Sequence, residues 1–376
     1  MKIGIITYWK SEENYGQILQ ILALQYAFKR KGASPFLIRN IIGPLPKENK
    51  SFFSSIISIK DYMSLTRIKD ALIRRGKKRK KEVDIVKRGF QQFKDEYISQ
   101  SVQTYTPIQL YKNPPFADIY VCGSDQIWNY PNPIHFLDWC SKNKLCYSYA
   151  ASFGNTKIPK YQYRQYAKYI KKFAAISVRE YSGINICKEL GYDGNVVHCI
   201  DPTLLLTKDD YLNTIKIQKT HYSPFVLLYL LGNEARIDYE YIDSIALKKG
   251  LKILFVPSQG CCLDRFEAVY PSIEEMLGLI NDASYIITNS FHGTVFSIIF
   301  NKQFYTIPLS GKDKRMNERL ESLFQSLNIT DRYYNKENIN KNINIDYEKV
   351  NKKLSVLRAK SDSFIEQILI NNENSD

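Results

Sequence analysis

Short apolar runs alternate along almost the whole chain with stretches of helical periodicity, and few folds accept that alternation. Residues 3–8 are a buried-type run too short for a core helix. Residues 15–31 follow with Ile18, Leu22 and Tyr26 near one face and Gly32 as a stop. A second strand is expected at 35–39. After an interruption, strands are expected at 118–122, 145–150, 174–178 and 195–200, each ending in small or polar residues. The pattern lapses over the polar, basic stretch 207–223 and then restarts. Strands are expected at 225–231, 252–257, 285–288 and 303–307, with helices near 238–249, 273–281, 292–300 and 315–327. Strands that are apolar throughout, rather than at every second residue, are covered on both faces, which means parallel sheets flanked by helices. The expected class is α/β, with two doubly wound Rossmann-like domains facing a cleft. Their expected bounds are 1–206, with a helical basic insertion at about 45–112, and 222–345, closed by a C-terminal helix at 346–370.

In such sheets ligands bind beyond the carboxyl ends of the strands, so the residues just after each strand carry the functional information. The most suggestive lie at Thr288-Asn289-Ser290-Phe291-His292-Gly293-Thr294. A buried strand ends there and a histidine sits where the next helix begins. The first amides of a helix lack intrahelical partners and favour an anion, and an imidazole gives or takes protons near neutrality. Ser290 reads equally as a helix cap. Arg179 follows another strand, and its planar fork suits carboxylate or phosphate; an ion pair with Glu180 is the plainer reading. In Gly123-Ser124-Asp125-Gln126-Ile127-Trp128-Asn129, Asp125 could take a proton from a sugar hydroxyl and Trp128 could stack on a sugar face. A cap and a core packing residue are their structural alternatives. Asn14 and Gly16 stand at the first strand-to-helix turn, where glycine permits close approach. Lys312, Lys314, Arg315 and Arg319 form either a phosphate clamp or a solvated basic turn. His135, His198 and His221 have no such setting, and no zinc-ligand spacing occurs.

The chain has 376 residues, 44 % hydrophobic and 24 % charged, which excludes a disordered polymer. Lys and Arg number 53 against 38 Asp and Glu, a formal charge of +15, so partners should be anionic. Seven basic residues, Arg74, Arg75, Lys77, Lys78, Arg79, Lys80 and Lys81, crowd one stretch. They read as a solvated helix face or as a patch that draws the protein to an anionic membrane. No zinc-finger, RNP-type or helix-turn-helix pattern supports nucleic-acid binding. The seven cysteines are scattered without a CxxC pair, which fits a reducing compartment. No signal peptide and no spanning apolar run is recognised. The expected location is cytoplasmic, with at most peripheral contact at the inner face of the plasma membrane.

Taken together, Asn14-Tyr15-Gly16, the Gly123–Asn129 segment, Ser177-Val178-Arg179, Asp201-Pro202-Thr203 and Ser290-Phe291-His292-Gly293-Thr294 resemble the polysaccharide pyruvyl transferase family. The resemblance runs from Lys2 to about Leu327. It implies a GT-B-like fold and transfer of pyruvate from phosphoenolpyruvate to a sugar as a ketal, on a precursor of capsule, exopolysaccharide or cell-wall glycan. No cofactor or metal is implied; phosphoenolpyruvate is the donor substrate. By the match, His292 is the family's key catalytic histidine and Arg179 its donor-binding arginine; read beside them, Asp125 would be the second catalytic residue, and Ser290, Gly293, Thr294, Lys312 and Arg315 would complete the donor site. The acceptor, a sugar or lipid-linked oligosaccharide, would meet Asn14, Gly16, Trp128 and Asn129. Several relatives carry arginine two residues before the histidine, where this chain has Ser290. The alternatives are a nucleotide-sugar glycosyltransferase on the same architecture and a non-catalytic basic protein binding anionic glycolipid or nucleic acid through residues 74–88.

Overall fold

The computed structural model describes residues 1–41, 43, 45, 88–222, 224–232, 239–261, 263, 265–311, 317–335, 337–338 and 344–373. The basic run at 74–81, and with it most of the expected insertion, lies outside the described residues, as do Lys312, Lys314 and Arg315.

In the N-terminal half the elements run β1 (Lys2–Ile6), α1 (Tyr15–Lys29), β2 (Ser34–Leu37), α2 (Phe90–Tyr97), α3 (Pro107–Lys112), β3 (Ile119–Cys122), β4 (Cys146–Ala151), α4 (Tyr163–Ile170), β5 (Ala175–Val178), α5 (Tyr181–Glu189), β6 (Val196–His198) and α6 (Lys208–Thr214). The C-terminal half adds β7 (Phe225–Leu231), α7 (Tyr239–Lys248), β8 (Lys252–Ser258), α8 (Ile273–Asp282), β9 (Tyr285–Thr288), α9 (Phe291–Ile299), β10 (Phe304–Thr306), α10 (Glu318–Leu327) and α11 (Tyr347–Glu373). The first six strands form one parallel sheet in the order β2-β1-β3-β4-β5-β6. The last four form a second parallel sheet, β10-β9-β7-β8.

The period of two along each strand distributes its apolar side chains between layers. On β7, Val226, Leu228 and Leu230 enter a core with Phe255 and Ile287 on one face of their sheet. Phe225, Leu227 and Tyr229 enter a larger core that also holds Ile3, Ile5 and Val121 of the first sheet. That core is therefore continuous from one half to the other. Helix α1 lies within it, and twelve of its 15 residues are buried, so it shows almost no polar face. Each fully buried Leu or Ile there contributes about 1.5–3 kcal/mol.

The stretch 207–223, read from sequence as a polar boundary, contains α6. Thr207 Oγ accepts the Asp210 amide at 3.1 Å and Asp210 Oδ2 accepts the Thr207 amide at 2.7 Å, a capping box that starts a helix of only 7 residues. So short an element has no readable periodicity. The final helix, α11, ties the halves together. Its Tyr347 hydroxyl donates to Ser297 O in the C-terminal half at 3.2 Å. Further along, Arg358 donates to Leu204 O and Leu206 O, at 2.6 and 3.0 Å, and Lys31 pairs with Glu366 at 2.6 Å. Among the described residues no helix is long and apolar enough to cross a membrane.

Candidate functional site

The turn after β9 is built before it does anything else. Thr288 Oγ1 donates to Tyr229 O at 2.6 Å and accepts the Ser290 amide at 3.0 Å. The Asn289 carboxamide clasps both the amide and carbonyl of Leu231, at 2.7 and 2.9 Å. Ser290 Oγ caps α9 by accepting the Gly293 amide at 3.1 Å. Thr294 Oγ1 bonds Ser290 O at 3.0 Å and Thr306 Oγ1 at 2.7 Å. Ser290, Gly293 and Thr294, expected from the sequence to bind the donor, are committed to holding this turn. A side chain at 293 would meet Thr288 Oγ1 at 2.6 Å, so that glycine serves close packing. These hydrogen bonds clamp and cap the strand end within the fold.

The turn presents His292, which is 6 % exposed. Its Nε2 lies 3.6 Å from Asp201 Oδ2 and has no hydrogen-bond partner. The other side of the ring rests on α1. A Cβ at Gly16 would fall 1.9 Å from His292 Cγ and 2.1 Å from Nδ1, so only glycine fits there. Gly16 thus shapes the seat of the histidine from the opposite half of the molecule.

Three further strand ends converge on the same place. Arg179, just past β5, donates from Nε to Glu180 Oε1 at 3.1 Å and from Nη1 to Asp201 Oδ2 at 2.7 Å. Its Nη2 has no hydrogen bond and lies 3.9 Å from Asp125 Oδ1. Burial alone would lower the Arg179 pKa, but Glu180, Asp201 and Asp125 outweigh it and raise it. Asp201, after β6, is 1 % exposed and also accepts from the Thr203 amide and hydroxyl at 3.0 and 2.7 Å. Burial pushes its carboxyl up, yet His292, Arg179 and Thr203 together hold it well below the usual carboxylate range. Asp125, after β3, sits at φ 68°, a left-handed conformation uncommon outside glycine. Strain of that kind is retained where the surroundings over-determine it, and it gathers at functional positions. The Phe291 ring lies 4.8 Å from the Arg179 guanidinium carbon and 5.2 Å from that of Arg319.

The other expected residues have packing, pairing or capping partners of their own. Trp128, expected to stack on a sugar, is fully buried; it stacks on Phe136 at 4.9 Å and packs against Phe153 and Phe173. Its apolar area is spent in the core, so it cannot line a cleft. Asn129 Oδ1 accepts from Asn155 Nδ2 at 2.9 Å, and Asn14 Oδ1 caps α1 through the Gln17 amide at 3.1 Å. Sequence reasoning did not pick out Asp201, Glu180 or Phe291 as site residues. The signals were the place of Asp201 shortly after a strand and its presence, like that of Phe291, in the segments that carry the family resemblance, neither of which gave it a role.

Four strand ends from two parallel sheets, brought to one place, are the layout of the two-domain GT-B class. The S. aureus protein MnaA, in a co-structure with UDP, superposes with a TM-score of 0.50 at 14 % identity, covering 98 % of this chain and 95 % of that one. The UDP-GlcNAc 2-epimerase of Methanocaldococcus jannaschii, in complex with UDP-GlcNAc and UDP, gives 0.48 at 14 % identity over 98 % and 99 %. No curated protein matches the sequence. The polysaccharide pyruvyl transferase family model matches residues 14–311, and the chain belongs to that family of transferases.

Proposed function

We propose that this protein transfers the pyruvyl group of phosphoenolpyruvate to two hydroxyls of a sugar as a ketal, on a precursor of a surface polysaccharide. The observation that carries this reading is His292 Nε2: buried, without a hydrogen-bond partner, and 3.6 Å from a carboxylate that stays ionised. A proton held there can be delivered to a substrate carbon. In the proposed sequence His292 protonates the methylene carbon, using the electron pair of the enol double bond. A sugar hydroxyl forms a C–O bond to the adjacent carbon and loses its proton to Asp125. The second hydroxyl displaces phosphate from the same carbon and returns its proton to His292, while the proton on Asp125 leaves with the phosphate, so the products are the ketal and inorganic phosphate and both residues are restored. Asp201 orients the imidazole and Arg179 Nη2 faces the anionic donor. No step calls on a cofactor. The acceptor is a sugar or a lipid-linked oligosaccharide, and the charge of +15 suits an anionic donor and contact with an anionic membrane face.

The test mixes protein and phosphoenolpyruvate with galactoside, mannoside and N-acetylhexosamine acceptors. Phosphate release together with an acid-labile pyruvyl sugar is expected. His292→Ala should lose at least about a hundredfold in turnover while its unfolding transition persists. Donor that survives intact with every acceptor refutes the reading.

A further inference from the structure

The site is short of free cationic surface for such a donor. Arg179 has two of its three nitrogens committed, Nε to Glu180 and Nη1 to Asp201, which leaves Nη2. Ser290 brings no charge, and its hydroxyl caps α9. Phosphoenolpyruvate carries a carboxylate and a phosphate on one carbon, and a single guanidinium edge pairs with one planar anion at a time.

Arg319 is the second cation within reach. It stands in the first turn of α10, on the C-terminal half, and is half-buried. Its guanidinium carbon lies 5.2 Å from the centre of the Phe291 ring, and the Arg179 guanidinium carbon lies 4.8 Å from that same centre. Phe291 directly precedes His292, so the capped turn that fixes the imidazole also fixes the ring on which both arginines rest. Two like charges from opposite halves are held together over one phenyl ring. Of the carboxylates around them, Glu180 and Asp201 are bonded to Arg179 and Asp125 lies 3.9 Å from its Nη2; all three also favour the charged form of Arg319. Burial, and then Arg179, push Arg319 down to about 10, which leaves it charged at neutral pH. An anion between the two guanidinium groups would offset the repulsion between them.

We infer that Arg319 is the second donor-binding arginine: with Arg179 Nη2 it holds the two anionic groups of an enol phosphate, supplying the positive charge that the turn lacks at Ser290. The inference rests on the reading of the site given under the proposed function.

The experiment compares wild type, Arg319→Ala and Arg319→Lys in donor-dependent turnover and in phosphoenolpyruvate binding. Loss of a charged hydrogen-bonded contact should raise the Arg319→Ala KM for phosphoenolpyruvate by about 10- to 150-fold, with kcat changed far less. Millimolar guanidinium should partly restore Arg319→Ala, sodium chloride at the same ionic strength should not, and Arg319→Lys should fall between wild type and Arg319→Ala. A KM within threefold of wild type overturns this inference and leaves the proposed function standing. A raised KM that tracks a lower unfolding temperature and resists both guanidinium and lysine also overturns it, since packing alone would do that. A wild type that neither binds nor consumes phosphoenolpyruvate overturns the proposed function, and this inference with it.

Discussion

Replacing Gly16 with alanine should damage the site more than the fold. The added methyl carbon would sit 1.9 Å from His292 Cγ, whereas carbon atoms rest at about 3.5 Å. The ring must therefore retreat by roughly 1.5 Å, or α1 must move by as much. Neither is free to move: His292 is 6 % exposed, and α1 is embedded in the shared core. Overpacking of this kind costs about 1–3 kcal/mol. A displacement of about 1 Å at a reacting group costs on the order of a hundredfold in rate. Urea unfolding should show the first loss and phosphate release the second. A double-mutant cycle tests the cause. Alanine at 292 would keep the Cβ, which lies 2.4 Å from the added methyl, so the cycle uses the His292→Gly background, where the whole side chain is gone and Gly16→Ala should lose most of its cost. If Gly16→Ala costs as much there as in the wild type, the ring is not what the glycine accommodates.

Stability should fall with acid in a defined window. Burial lowers both His135 and His198 to about 4. The unfolded chain takes up those protons at about 6.5, so it binds more protons than the native state between the two values, and stability declines as pH falls from about 6.5 to 4. The full effect is about 3 kcal/mol per histidine; denaturation midpoints across that range check it, and His135→Phe should flatten the slope. Trp128→Ala should destabilise by about 3–5 kcal/mol yet leave the acceptor KM of the folded enzyme unchanged; a specific rise in that KM would return the indole to the cleft.

The strands at 225–231 and 285–288 are legible in sequence to the residue, since an unbroken apolar run bounded by polar residues reports its own burial. The positions of His292 and Arg179 just past strand ends follow from the same local pattern. What the sequence conceals is joint property. Asp201 matters because Arg179, Thr203 and His292 meet on it from three segments. Gly16 matters because of a ring 276 positions later in the chain. Trp128 follows a strand end as Asp125 does, yet one side chain enters the aromatic core and the other faces Arg179; three residues of turn geometry decide that, and composition carries no trace of it. The capped turn at Ser290 is legible as a cap, but a capped turn and an anion-binding turn use the same residue types.

The return of α11 to the first half has a consequence for motion. The chain passes between the halves twice, once after α6 and once along α11, whose 27 residues span about 40 Å. A single crossing acts as a ball joint, free to tilt and swivel. The two crossings and the core that is continuous between the halves therefore tie His292 and Arg179 to one frame, and tilting one half against the other would break contacts at both crossings.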